Sequence, residues 1–290
     1  MKILFGYSFL IVAIGTGILA IASAMAGCIT VQKGRGLIGD AIGHSSFPGI
    51  VLAFMLFQTR EPGILLLGSA FSGALAYWTI HVLTKYSPME EDASLAISLS
   101  GFFGLGMVLK SYVTGNPKFT GASQSGLQNY IFGQAAFMLE KDILYIFIVS
   151  VIVLMFVILF YKEICIYLFD ETYGQTVGIN ENIMDILLLV MMISLISVGL
   201  KVVGAILISS FLIIPAVTAT LWTKQFYKTL IFSSVMGSIC AVIGTYISTK
   251  YNGLSTGPTI VLCMGFIALL SLFFSPNGIF AVKRRREALK

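Results

Sequence analysis

Charged residues are so sparse along this chain that the apolar runs between them define its elements. No acidic or basic residue occurs between Lys2 and Lys33. A helix that crosses a bilayer needs about 20 apolar residues, so the first span is predicted within residues 5–30. Ala22-Ser23-Ala24 resembles a signal-peptide cleavage site, but the uncharged run is far longer than an h-region of about 7–15 residues. Further spans follow over 37–57, 64–84, 93–110, 142–161, 183–199, 202–222, 226–248 and 259–274. Arg60-Glu61-Pro62-Gly63 and Asn252-Gly253 mark breaks between them, as Pro and Gly beside polar residues do. Residues 111–139, rich in Gly, Ser, Thr, Asn and Gln, read as a long loop with a short interfacial helix near 126–139.

The pattern predicts an all-α, polytopic membrane protein of about nine transmembrane helices. The count is eight if 202–222 is re-entrant or fused with the preceding span. Residues 1–282 form one transmembrane domain, and 283–290 a basic tail. Composition agrees: 57% of residues are hydrophobic and 11% are charged, against about 25% charged in soluble domains. The net charge of +5 is no nucleic-acid signal, because Lys283, Arg284, Arg285, Arg286 and Lys290 all lie in the tail. Placing the tail in the cytoplasm puts 11 of the 18 basic residues inside, the sign the positive-inside rule requires. Small residues such as Gly68, Ser72, Gly73, Gly101, Gly104 and Gly106 are expected where helices approach closely. Cys28, Cys165, Cys240 and Cys263 form no CxxC pair and read as small buried hydrophobes.

One span departs from the pattern. Residues 38–56 are apolar enough to enter a bilayer, yet carry Asp40 and His44. Four apart on a helix, their Cβ atoms lie roughly 5–6 Å from each other on one face. An ionised Asp at mid-bilayer costs on the order of 2.5–3.5 kcal/mol, so such residues face a bundle interior or a pathway. No other stretch is expected to combine ionisable side chains with a membrane setting in this way. A carboxylate and an imidazole suit Mn, Fe or Zn ions, and no thiolate is near to suggest Cu(I). One pair supplies too few ligands, whereas a homodimer would double it. An Asp–His hydrogen bond pinning helices and a proton relay are the other readings. His81, beside Lys85, reads as an interfacial or core histidine.

The chain contains no GxxxxGK[ST] loop, HExxH or GxSxG motif, so neither ATP hydrolysis nor hydrolase chemistry is expected of it. Residues 162–182 are the most polar internal segment. Within them Phe169-Asp170-Glu171-Thr172-Tyr173 through Val177-Gly178 reads as a short amphipathic helix with acids at its start, where the helix dipole favours them. It is either an ordinary connection or a docking helix for a soluble partner.

These residues also carry a family resemblance. Gly39-Asp40-Ala41-Ile42-Gly43-His44 with Pro48-Gly49, and the apolar run from Gly204 to Pro215-Ala216-Val217-Thr218-Ala219, resemble the two signatures of the membrane permeases of manganese, zinc and iron ABC importers. Phe169, Asp170, Glu171 and Gly178 resemble that family's cytoplasmic coupling helix, at about 167–178. The resemblance implies a homodimer in the cell membrane, a cytoplasmic ABC ATPase, an extracytoplasmic metal-binding protein and no tightly bound cofactor. It implies metal contact by Asp40 and His44, and a pathway or gate role for Gly39, Pro48, Gly49 and Pro215. Ala41 and Pro48 resemble the manganese and iron branch more than the zinc branch, so manganese is the first expectation. A proton-coupled secondary carrier is the alternative. Gly174-Gln175 stands where stronger helix formers are expected, which implies a shortened coupling helix.

Overall fold

The computed structural model describes residues 6–59, 61–116, 140–251 and 253–288, together with Phe119, Gly133, Ala135 and Met138. The helices are α1 (Tyr7–Gln32), α2 (Ile38–Ser45), α3 (Phe47–Phe57), α4 (Pro62–Tyr86), α5 (Glu91–Gly115), α6 (Glu140–Leu159), α7 (Tyr161–Phe169), α8 (Glu171–Thr176), α9 (Glu181–Val202), α10 (Ala205–Trp222), α11 (Phe226–Lys250), α12 (Thr256–Phe274) and α13 (Ile279–Ala288). Among the described residues, nine helical segments are long and apolar enough to cross a membrane, with α2 and α3 counting as one. The nine predicted spans correspond to these segments, with ends shifted by a few residues in most cases. Apart from its three described residues, the predicted interfacial helix at 126–139 lies outside the described part.

Local chemistry explains the boundaries. Pro62 opens α4, a position where its missing N–H costs nothing. Glu91 and Asp92 occupy the first turn of α5, facing the positive end of the dipole. Gln58, at φ 48°, closes α3 in the left-handed conformation. Gly204, at φ 83°, turns the chain between α9 and α10. Those helices are therefore separate, and the eight-span alternative is set aside. The basic tail is helical, and α13 runs through the boundary expected at 282.

The predicted span at 37–57 is divided into two helices that meet at Ser46, whose backbone stays right-handed at φ −75° and ψ −19°. Pro48 has no N–H to donate to the His44 carbonyl, so the helical ladder loses a bond there. The division falls directly after the Asp40–His44 turn.

α1, α2–α3 and α9 are the most enclosed spans, while α4, α5, α6 and α12 turn most of their surface outward. α1 packs on α11, α10 and α6, and α2 and α3 pack on α4 and α5. α9 touches α1, α2, α4, α6 and α10 and joins the two groups. Outward-facing Leu67, Phe71, Trp78, Ile152 and Phe266 suit a lipid surround. Glycines set the closest crossings. A Cβ at Gly49 would lie 2.0 Å from the Gly68 carbonyl oxygen, and one at Gly27 would lie 1.8 Å from that of Leu212. Gly73 and Gly106 also face neighbouring helices, as expected. Gly101 and Gly104 do not, since a Cβ there would meet nothing within 4 Å; small-residue content does not say which glycines touch.

Candidate functional site

Of the eight residues of α2, all are buried except Asp40 and His44. The rest of the helix is sealed against its neighbours. Gly39 lets Leu212 of α10 and Met192 of α9 close on one side, where a Cβ would lie 2.8 Å and 3.2 Å from their side chains. The uncovered line is thus polar although the helix is in a membrane span.

Within that line Asp40 Oδ1 lies 3.5 Å from His44 Nε2, with side-chain exposures of 34% and 20%. The His44 ring meets Phe103 of α5 edge-on, with centroids 5.2 Å apart. Its Nδ1 is buried with no hydrogen-bond partner among the described residues. Imidazoles that hold resident metals usually donate this second N–H to an acceptor. Here the ring is positioned by its edge against Phe103 and by the contact of Nε2 with the Asp40 carboxylate. No third His, Cys, Asp or Glu joins the pair among the described residues. Among the described residues, one copy of the chain brings only these two such groups together here.

The other signature residues are placed differently. Pro48 abuts Gly106 of α5, and Gly49 meets Gly68 of α4. Pro215 is buried inside α10 and faces Gly237 of α11. These positions shape the helix contacts around α2, and none of them presents a polar side chain.

The predicted coupling helix is two short helices with a corner at Asp170. The Asp170 carboxylate accepts from the Tyr173 N–H at 2.9 Å and caps α8. Gly178, at φ 86°, ends α8: Ile179 N–H reaches Gly174 O at 2.9 Å and Gly178 N–H reaches Gln175 O at 3.3 Å. This paired arrangement is the Schellman motif. Phe169, Tyr173 and Val177 are exposed, Phe169 before the corner and the other two beyond it, so exposed apolar side chains flank the corner.

Sequence reasoning missed a polar cluster at the end of the bundle where α1 passes into α2. Asp185 sits two residues inside the predicted span 183–199, so Asp40 and His44 are not alone in a predicted membrane span. Arg35 lies 3.0 Å from Glu91 and 3.3 Å from Asp185. Tyr167 of α7 donates to the same Asp185 oxygen. Lys33 sits 3.5 Å from Glu181 and 3.9 Å from the centroid of the Tyr167 ring. Burial works to lower the Arg35 pKa, but the Glu91 and Asp185 carboxylates outweigh it and hold the group above its ordinary value. Burial and the bond to Asp185 push the Tyr167 phenol far up. The available signal was Asp185 itself, an acid at a position the hydropathy assigns to lipid. At the opposite end of α9, Lys201 pairs with Asp142 of α6. His81 is exposed and lines a small cleft with Arg35, Tyr77 and Glu91.

The sequence model of the ABC 3 transport family matches residues 6–275. The chain belongs to that family. It is 35% identical over 272 residues to the manganese transport system membrane protein MntC of Bacillus subtilis, covering 94% of this chain and 62% of that protein. It is 33% identical over 289 residues to the zinc transport system membrane protein TroC of Treponema pallidum, covering 99% and 96%. The structure of PsaBC from Streptococcus pneumoniae in complex with Fab superposes with a TM-score of 0.81, at 27% identity and 94% coverage of both chains. The family membership and these relatives make the chain a membrane permease of the metal-importing ABC type, as the two signatures implied. Manganese and zinc relatives match almost equally well and do not separate the two ions.

Proposed function

We propose that this permease conducts a divalent transition-metal ion, manganese first, through a path bordered by Asp40 and His44 of two copies. The observation that carries the reading is that α2 leaves only these two side chains uncovered. A second copy facing the first would bring two carboxylates and two imidazoles to one ion, a donor set that suits Mn, Fe or Zn. A transit site must also let go. The set contains no thiolate, and the His44 Nδ1 has no acceptor among the described residues to stiffen the ring; both favour release. Ala41 and Pro48 support manganese over zinc.

Movement of the ion requires that the path open alternately to the two sides. The chain has no phosphate-binding loop of its own, so an ABC ATPase on the cytoplasmic side supplies the work through the α7–α8 corner. The exposed Phe169, Tyr173 and Val177 offer the apolar contact, and the Asp170 cap and Gly178 fix the shape of the corner. A metal-binding protein on the outer face delivers the ion.

Uptake into liposomes containing the permease, its ATPase and its binding protein tests this, with Mn²⁺, Zn²⁺ and Fe²⁺ offered separately. ATP-dependent uptake with Mn²⁺ favoured is expected. Zn²⁺ uptake without Mn²⁺ uptake would overturn the choice of ion. Uptake that ignores ATP and follows a proton gradient would overturn the importer and leave a secondary carrier.

A further inference from the structure

Arg35 stands between the docking corner and the metal-facing helix. Its backbone belongs to the α1–α2 turn: Arg35 N–H reaches Thr30 O at 2.9 Å, and Ile38 N–H reaches Arg35 O at 3.2 Å. Asp40 follows on the first turns of α2, so the turn and the ligand move together. The Arg35 side chain forks onto two other helices, to Glu91 at the start of α5 and Asp185 in α9. Asp185 in turn accepts from Tyr167 of α7, immediately before the corner at Asp170. Lys33, from the same turn as Arg35, covers the other face of the Tyr167 ring and reaches Glu181. The docking segment is thus fastened to the base of α2 by two routes.

We propose that Arg35, held by Asp185 and Glu91, is the positioning residue through which displacement of the α7–α8 corner reaches Asp40 and His44. The inference rests on the importer reading above and adds the route of coupling. A planar guanidinium can bridge two carboxylates at fixed angles, which an ammonium does less well. With the bridge intact, α2, α5, α9 and α7 shift as one body. With it cut, the corner moves and α2 does not follow.

The test measures ATP hydrolysis and Mn²⁺ delivery in the same proteoliposomes. Arg35→Gln and Asp185→Asn are expected to keep hydrolysis within about twofold of wild type and to lower the ions delivered per ATP by about tenfold, a common size for coupling between sites. Arg35→Lys should fall between Gln and wild type. A structural defect would lower hydrolysis and delivery together, keeping their ratio, and that result overturns the proposal. Should either variant fail to assemble, Tyr167→Phe, which removes one oxygen, must still lower the ratio; an unchanged ratio counts against the route. Absence of ATP-driven uptake by wild type would sink the importer reading itself, whereas coupled uptake by every variant would sink only this proposal.

Discussion

Asp40 and His44 owe their character to what surrounds them. The six other residues of α2 are buried by α4, α5, α9 and α10, so the helix cannot rotate to hide the pair without exposing apolar surface. Asp40→Ala and His44→Ala should therefore fold and associate normally while lowering metal uptake by at least about tenfold, equivalent to losing 1.4 kcal/mol of ligand interaction. Uptake assays on assembled complexes check this; wild-type rates for Asp40→Ala would remove it from the path. The glycines beside the pair predict the opposite phenotype. Gly49→Ala drives a methyl into the Gly68 backbone, an overpacking that costs about 1–3 kcal/mol. It should lower the thermal midpoint of the purified protein, and an unaltered midpoint would show that α3 and α4 separate freely.

At the scale of elements, two features decide how the site is used. The division at Ser46 ends α2 one residue after His44, and α3 packs on α4 and α5. The corner at Asp170 turns a single amphipathic segment into two short helices. That second break was readable only in part. Phe169, Asp170, Glu171 and Gly178 were legible as a docking segment, and Gly174-Gln175 as weak helix formers, but the Asp170 cap comes from backbone geometry. Gly178 is held at φ 86°, where a side chain costs about 1–2 kcal/mol. Gly178→Ala should loosen the end of α8 and weaken binding of the ATPase several-fold. A pull-down titration measures it, and unchanged affinity would place docking elsewhere.

For the whole molecule, we propose that the basic tail lies in the cytoplasm. Loops carrying Lys33, Arg35 and Glu181 meet at one end, and nine crossings among the described residues would put that end on the same side as the tail. A single cysteine at Lys283, in a chain whose four native cysteines are replaced, should react with a membrane-impermeant thiol reagent only after inside access is opened. Labelling from outside would invert the topology and move the α7–α8 corner away from any cytoplasmic ATPase.

The sequence alone determined the spans, their order and the singular pair on the second span, because hydropathy and helical periodicity are local properties of the chain. It also gave two signatures specific enough to imply the family. Which glycines meet backbone and where Arg35 reaches depended on residues far apart in sequence. Arg35 and Asp185 are separated by 150 positions, and nothing in the local pattern of either names the other. Only packing brings the two charges to 3.3 Å of each other at the end of the bundle.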